Sequence, residues 1–148
     1  MTIGPIDHVG IVVRSIDEAL PRYRSLFGLL PAAPVIAFDS QGVRLCFLDS
    51  GPAPAARLEL VEPVDPGSGV ARFLAQRGEG LHHLCFRSGE ITTDLASLEA
   101  HGAELIDRDP RPGAHGSVAF IHPRSLSGVL WELIQTDGEG VGAPQSKP

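Results

Sequence analysis

Asp7-His8-Val9-Gly10-Ile11-Val12-Val13 decides the reading of this chain, because it returns as His82-His83-Leu84-Cys85-Phe86-Arg87-Ser88. A second stretch repeats with it: Arg57-Leu58-Glu59-Leu60-Val61 returns as Leu130-Trp131-Glu132-Leu133-Ile134. Each half thus carries one imidazole and one carboxylate inside a strand-like apolar run. A charged Glu in a half-buried strand is costly unless something pairs with it. His8, Glu59, His83 and Glu132 converging on one ion would supply that pairing. Two imidazoles and two carboxylates suit one divalent transition metal, of the group Co, Mn, Ni, Zn or Fe.

Outward from these strands the order of elements also repeats. Ile6–Val13 reads as a strand, and Ser15 with Glu18 three residues on has the pattern of a capping box. The pattern predicts a helix over Ile16–Phe27, stopped by Gly28 and bent at Pro21. Strands are expected at Pro34–Phe38, Val43–Leu48 and Arg57–Val61. The second half predicts a strand at Leu81–Arg87, a helix over Ile91–His101 ended by Gly102, and strands at Glu104–Asp107, Val118–His122 and Val129–Ile134. A shift of 75 aligns Ile16 with Ile91, Leu20 with Leu95 and Val43 with Val118. Such self-similarity marks a duplicated supersecondary unit.

The expected fold class is α+β: two tandem βαβββ modules forming a single cupped mixed sheet, with helices on the outside. The modules cover 6–62 and 81–135. A linker, 63–80, carries a short helix over Gly69–Gln76. A polar tail rich in Gly and Pro, 136–148, is expected to be disordered. Side chains alternate faces along a strand, so His8 shares a face with Gly10 and His83 shares one with Cys85. Gly10 is expected to leave room there for a ligand. His82 alternates to the other face and is read as a strand-start residue. His101 ends a helix, where a cation complements the dipole.

Composition excludes some classes. The chain has 148 residues and a formal net charge of −6, which argues against nucleic acid as a partner. No apolar run approaches the roughly 20 residues of a membrane span, so no membrane partner is expected. The N-terminal residues have neither the basic nor the apolar segment of a signal peptide, and the expected location is the cytoplasm. Cys46 and Cys85 lie in apolar runs and read as core thiols rather than a disulfide.

Longer motifs carry a resemblance. They are Ile6-Asp7-His8-Val9-Gly10-Ile11, Leu58-Glu59-Leu60-Val61-Glu62-Pro63, Gly78-Glu79-Gly80-Leu81-His82-His83, Asp109-Pro110-Arg111-Pro112-Gly113-Ala114-His115-Gly116 and Phe120-Ile121-His122-Pro123-Arg124-Ser125, followed by Gly128-Val129-Leu130-Trp131-Glu132-Leu133. With them the chain resembles the vicinal oxygen chelate superfamily, and within it the methylmalonyl-CoA epimerases, over residues 6 to 134. The resemblance implies metal ligands at His8, Glu59, His83 and Glu132; some epimerases have Gln at the position of Glu59. It implies a small-molecule substrate, an acyl-CoA, and a homodimer. The implied activity is that of a metal-dependent epimerase or isomerase working through a metal-stabilised enolate, on methylmalonyl-CoA or a related acyl thioester.

Epimerisation needs one group to take a proton from carbon and another to return it on the opposite face. The resemblance gives Glu132 one of these roles. The other belongs in the family to the Glu of Glu-Gln-Gly-Val, and this chain reads Asp39-Ser40-Gln41-Gly42-Val43. Ser40 stands at the base position, and a hydroxyl is a far weaker base than a carboxylate. Asp39, the neighbour of Ser40, serves only if the strand slips or bulges. His115, 75 residues after Ser40, lies in a Gly-rich loop and is the remaining candidate. Two alternatives stay open: a one-base isomerase, cyclase or lyase on another dicarbonyl-type substrate, and a non-catalytic small-molecule-binding module. Arg57, Arg111, His115, His122, Arg124 and Ser125 are candidate donors for the phosphates of an acyl-CoA, beside a glycine loop whose amides add to them.

Overall fold

The computed structural model describes residues 1–138, and the expected tail lies outside the described residues from position 139 on. Among the described residues eight strands are hydrogen-bonded in the order β2-β3-β4-β1-β5-β8-β7-β6, a mixed sheet with three α-helices, as the repeat predicts. The chain forms two compact units, Asp7–Leu84 and a second made of Met1–Ile6 with Cys85 onward. None of the described helices is long and apolar enough to cross a membrane.

In the Asp7–Leu84 unit, β1 (Ile3–Val12, entering the unit at Asp7) pairs in parallel with β4 (Arg57–Pro63). β4 pairs antiparallel with β3 (Val43–Leu48), which pairs antiparallel with β2 (Ile36–Phe38). The helix α1 spans Ile16–Phe27. The Ser15 hydroxyl accepts from the Glu18 N–H at 3.2 Å, and Gly28 ends the helix at φ 68°, where a side chain would be strained. The Ile16 N–H, another orphan of that first turn, donates to Glu62 Oε2 of β4 at 2.8 Å. Val13, Ile16, Cys46, Leu48 and Leu60 form the core between helix and strands. The linker helix α2 spans Gly69–Arg77, capped by the Ser68 hydroxyl on the Ala71 N–H. It leads into β5 (Gly80–Ser88), which leaves the unit after Leu84.

The second unit repeats the plan. The helix α3 (Ile91–Ala100) packs through Ile91 and Leu95 on Ala119 and Ile121 of β7 (Gly116–Ile121) and on Leu133 of β8 (Leu130–Thr136). Its first N–H, on Ile91, donates to Gln135 Oε1 of β8 at 2.8 Å, the counterpart of the Ile16–Glu62 bond. His101 closes the helix as expected, its Nδ1 lying 2.7 Å from the Ser97 carbonyl oxygen. Cys46 and Cys85 are both buried thiols outside any disulfide.

One expected strand does not form. Glu104–Asp107 contributes only an isolated bridge, Leu105 to Ile121, and the edge strand is instead β6 (Arg111–Pro112). The cause is Asp107. Its carboxylate takes the Phe120 N–H at 2.9 Å, the donor that a continuing ladder would have paired with a backbone carbonyl. Pro110 then prevents an unbroken run.

Candidate metal centre

His8, Glu59 and His83 lie on β1, β4 and β5, all in the Asp7–Leu84 unit, and are 2%, 7% and 5% exposed. Parallel pairing sets Gly10 opposite Glu59, and antiparallel pairing sets Phe47 on its other side. The His8 and His83 Nε2 atoms are 3.2 Å apart. His8 Nε2 is 3.4 Å from Glu59 Oε2, and His83 Nε2 is 3.8 Å from Glu59 Oε1. Ligand atoms that share one ion at about 2.0–2.2 Å sit roughly 3–3.5 Å from each other. The first two separations fall in that range and the third just beyond it.

The far sides of both rings are occupied. His8 Nδ1 is 2.8 Å from Asp7 Oδ1, so Nδ1 donates to the carboxylate and Nε2 turns its lone pair to the centre. Arg57 Nη2 donates to the same Asp7 oxygen at 2.9 Å, and its guanidinium lies 4.4 Å from the centroid of the Phe47 ring. Burial alone would push the Asp7 carboxyl up. The hydrogen bonds and positive charge of His8 and Arg57 outweigh it and hold that carboxyl well below the usual range. His83 Nδ1 is 2.9 Å from His82 Nδ1. A buried carboxylate and two imidazoles, with Nε2 of His8 directed inward, fit a divalent cation.

Gly10 makes room for a protein group rather than for a small molecule. A Cβ at this position would lie 2.7 Å from His83 Nε2 and closer still to Cε1 and Nδ1 of the same ring. In the second unit, Glu132 lies on β8, 7% exposed, opposite Phe120 in the β7–β8 pairing. It therefore holds the hairpin position that Glu59 holds opposite Phe47.

The remaining candidates divide. Asp39 and Ser40 are exposed and sit on a 3-10 turn, Asp39–Gln41, not on a strand. The turn is closed by the Gly42 N–H on the Asp39 carbonyl at 3.0 Å, with Gly42 at φ 64°. The strand-alternation objection to Asp39 therefore does not apply. His115 is exposed in the bend between β6 and β7, and Arg111 is on β6. Arg111 Nε donates to Asp107 Oδ2 at 3.2 Å. His122, Arg124 and Ser125 form the turn after β7, where His122 Nδ1 accepts from the Arg124 N–H and Ser125 Oγ from the Glu104 N–H. Arg124 Nη1 lies 3.7 Å from Glu104 Oε2. Arg57 directs Nη2 to Asp7 inside the unit.

Sequence reasoning missed Asp7 and His82 as partners of the two candidate ligand rings, and Arg57 as the partner of Asp7. The signal was present. Asp7 and His82 each directly precede a candidate ligand histidine and correspond under the shift of 75, and Arg57 lies two residues before Glu59, on its face of the strand.

A family model described as the Glyoxalase/Bleomycin resistance protein/Dioxygenase superfamily matches residues 7–120. The chain is 38% identical over 135 residues to an uncharacterized protein of Bacillus subtilis, covering 90% of this chain and 94% of that one. It is 35% identical over 136 residues to the ethylmalonyl-CoA/methylmalonyl-CoA epimerase of Cereibacter sphaeroides, covering 90% of this chain and 98% of the relative. Among solved structures it is similar to a Streptomyces coelicolor methylmalonyl-CoA epimerase variant in complex with 2-nitronate-propionyl-CoA. The TM-score is 0.86 at 31% identity, covering 92% of this chain and 99% of that one.

Proposed function

The chain belongs to the glyoxalase/bleomycin resistance protein/dioxygenase superfamily, and from that premise we propose that it is an isomerase, a divalent-metal-dependent epimerase of methylmalonyl-CoA or a related acyl thioester. The observation that carries the metal half of this reading is the buried trio His8, Glu59 and His83, with its Nε2 atoms 3.2 Å apart. We take Glu132 as the fourth ligand, because it repeats Glu59 in strand position, hairpin register and burial. The substrate half rests on the named epimerase relatives and on the acyl-CoA analogue bound by one of them.

A divalent cation, which His8, Glu59, His83 and Glu132 would hold, would supply Lewis acidity that lowers the cost of negative charge on a carbonyl oxygen of the substrate. The chain's own residues do the rest. Asp7 accepts from His8 Nδ1 and fixes that ring. Glu132 takes the proton from the carbon between the two carbonyls, and a group on the other face returns one. Ser40 stands where the family places the second carboxylate, and that favours a second reading: fast proton exchange on one face with slow inversion, as in a one-base isomerase, cyclase or lyase. Asp39 and His115 remain the candidates for a second group. Arg111, His115, His122, Arg124 and Ser125 are the proposed contacts for the CoA phosphates. We also propose a cytoplasmic homodimer, to be checked by light scattering and cell fractionation.

The test combines elemental analysis with deuterium exchange. The purified protein is expected to hold about one divalent transition metal per chain, more weakly at acidic pH because the ligands must be deprotonated. His83→Ala is expected to lose the metal and the activity. Stoichiometric metal in His83→Ala refutes the ligand assignment. Absence of deuterium at the α-carbon of methylmalonyl-CoA after incubation in D₂O refutes the enolate chemistry on that substrate.

A further inference from the structure

His82 lies on β5 beside a ligand, and strand alternation gives it no role at the centre. The structure nevertheless puts its Nδ1 2.9 Å from Nδ1 of His83, with the two ring planes at 87°. One nitrogen of this pair must donate and the other accept. Nε2 of His83 faces His8 Nε2 at 3.2 Å and Glu59 Oε1 at 3.8 Å. A metal-ligating nitrogen presents a lone pair, which leaves the His83 proton on Nδ1. His83 is then the donor and His82 Nδ1 the acceptor.

We propose that His82 is a positioning residue that fixes the tautomer and orientation of the ligand His83. The proposal rests on the metal reading above. The duplication supports it independently. Asp7 stands to His8 as His82 stands to His83, one residue before the ligand and 75 residues apart, and Asp7 accepts from His8 Nδ1 at 2.8 Å. Each ligand ring thus takes its acceptor from the preceding residue. In one repeat the acceptor is a carboxylate neutralised by Arg57. In the other it is an imidazole, which orients the ring without adding negative charge near Glu59.

His82 is itself held from the linker helix. The Phe73 ring of α2 meets it edge-on, with centroids 4.9 Å apart, and the Arg77 guanidinium lies 5.6 Å from the Phe73 centroid. The linker helix therefore supports the ligand through two aromatic contacts. This gives the 63–80 segment a part in the site that its sequence does not announce.

The experiment separates this idea from a general packing role by replacing one nitrogen at a time. His82→Asn keeps an acceptor oxygen near the position of Nδ1, His82→Gln places its amide near Nε2, and His82→Leu removes both. Loss of an outer-shell partner typically weakens metal binding by about 10- to 100-fold. By chelator competition, His82→Leu and His82→Gln are expected to fall by that factor, and His82→Asn to stay within about threefold of wild type. In metal-free protein labelled with ¹⁵N-histidine, His83 is expected to show the Nδ1–H pattern in wild type and His82→Asn. It is expected to shift toward Nε2–H in His82→Gln and His82→Leu. Equal binding by Asn and Gln variants, wild-type binding by His82→Leu, or an Nε2–H pattern for His83 in wild type each overturns the proposal. If wild type takes up no metal, the metal reading falls. The ¹⁵N pattern still decides whether His82 sets the His83 tautomer.

Discussion

Gly10→Ala is the sharpest test of the centre, because the structure says where its cost arises. Gly10 is not among the residues with positive φ, so an alanine fits its backbone. Gly10 is buried on β1 opposite Glu59, and the nearest atoms to the added methyl are all on the His83 ring. The ring must rotate away. That breaks its 2.9 Å contact with His82 and its 3.2 Å approach to His8. Inserting a methyl into a packed site typically costs about 1–3 kcal/mol. For a chain of this size each kcal/mol shifts Tm by roughly 3–5 °C, so metal-free Gly10→Ala is expected to melt about 3–15 °C below wild type. Metal affinity, measured by chelator competition, is expected to drop by more than tenfold, since a proposed ligand has left its position. The decisive comparison is with His83→Ala. The double variant Gly10→Ala with His83→Ala removes the ring the methyl would strike. It is expected to be no less stable than His83→Ala alone, giving a coupling of about 1–3 kcal/mol in a double-mutant cycle. Additive stability losses, or wild-type metal affinity in Gly10→Ala, would refute the reasoning.

Three further outcomes follow. Ser40→Glu places a carboxylate at the position proposed above for the second base. A general base contributes typically about 10²–10⁴-fold, so inversion of methylmalonyl-CoA is expected to rise at least tenfold relative to α-proton exchange. An unchanged ratio of inversion to exchange points to a pocket shaped for another substrate. Asp39→Asn in the wild-type background should leave inversion unchanged; a loss of tenfold or more identifies Asp39 as the second group. Asp94 is buried and accepts from the Thr2 N–H, the Thr2 hydroxyl and the Ser88 hydroxyl at 2.7, 2.8 and 2.7 Å. Burial pushes its carboxyl up, and these donors outweigh that and hold it below the usual range. A depressed folded-state pKa adds stability that is fully present above the unfolded value near 4 and is lost as pH falls through the folded value. The Tm deficit of Asp94→Asn should therefore be largest at neutral pH and shrink below about pH 4; a deficit constant from pH 7 to pH 2 removes Asp94 as the source.

Local physics makes much of the molecule legible in the sequence. Helix α1 has the bounds that Ser15 and Gly28 impose, because capping and a left-handed stop involve only residues a few positions apart. The duplicated His and Glu were legible because period-two burial and the repeat both leave their mark in one dimension. Even the failure at Glu104–Asp107 has a local cause, the Asp107 carboxylate, although its partner Phe120 is 13 residues away and only the folded chain names it.

What the sequence alone determined, then, is the inventory: two βαβββ repeats and a buried imidazole and carboxylate in each. What only the tertiary structure decided is which neighbours those groups have. Strand register set Arg57 and Asp7 together across β1 and β4, and it put the His83 ring in the space Gly10 leaves open. The 3-10 turn at Asp39–Gln41 replaced an expected alternation of faces with a reversal that exposes both Asp39 and Ser40. Side-chain rotation brought His82 onto His83 against the alternation of their backbones. These contacts depend on register, turn type and rotamer, each set by packing against residues distant in the chain, and no window of sequence contains them.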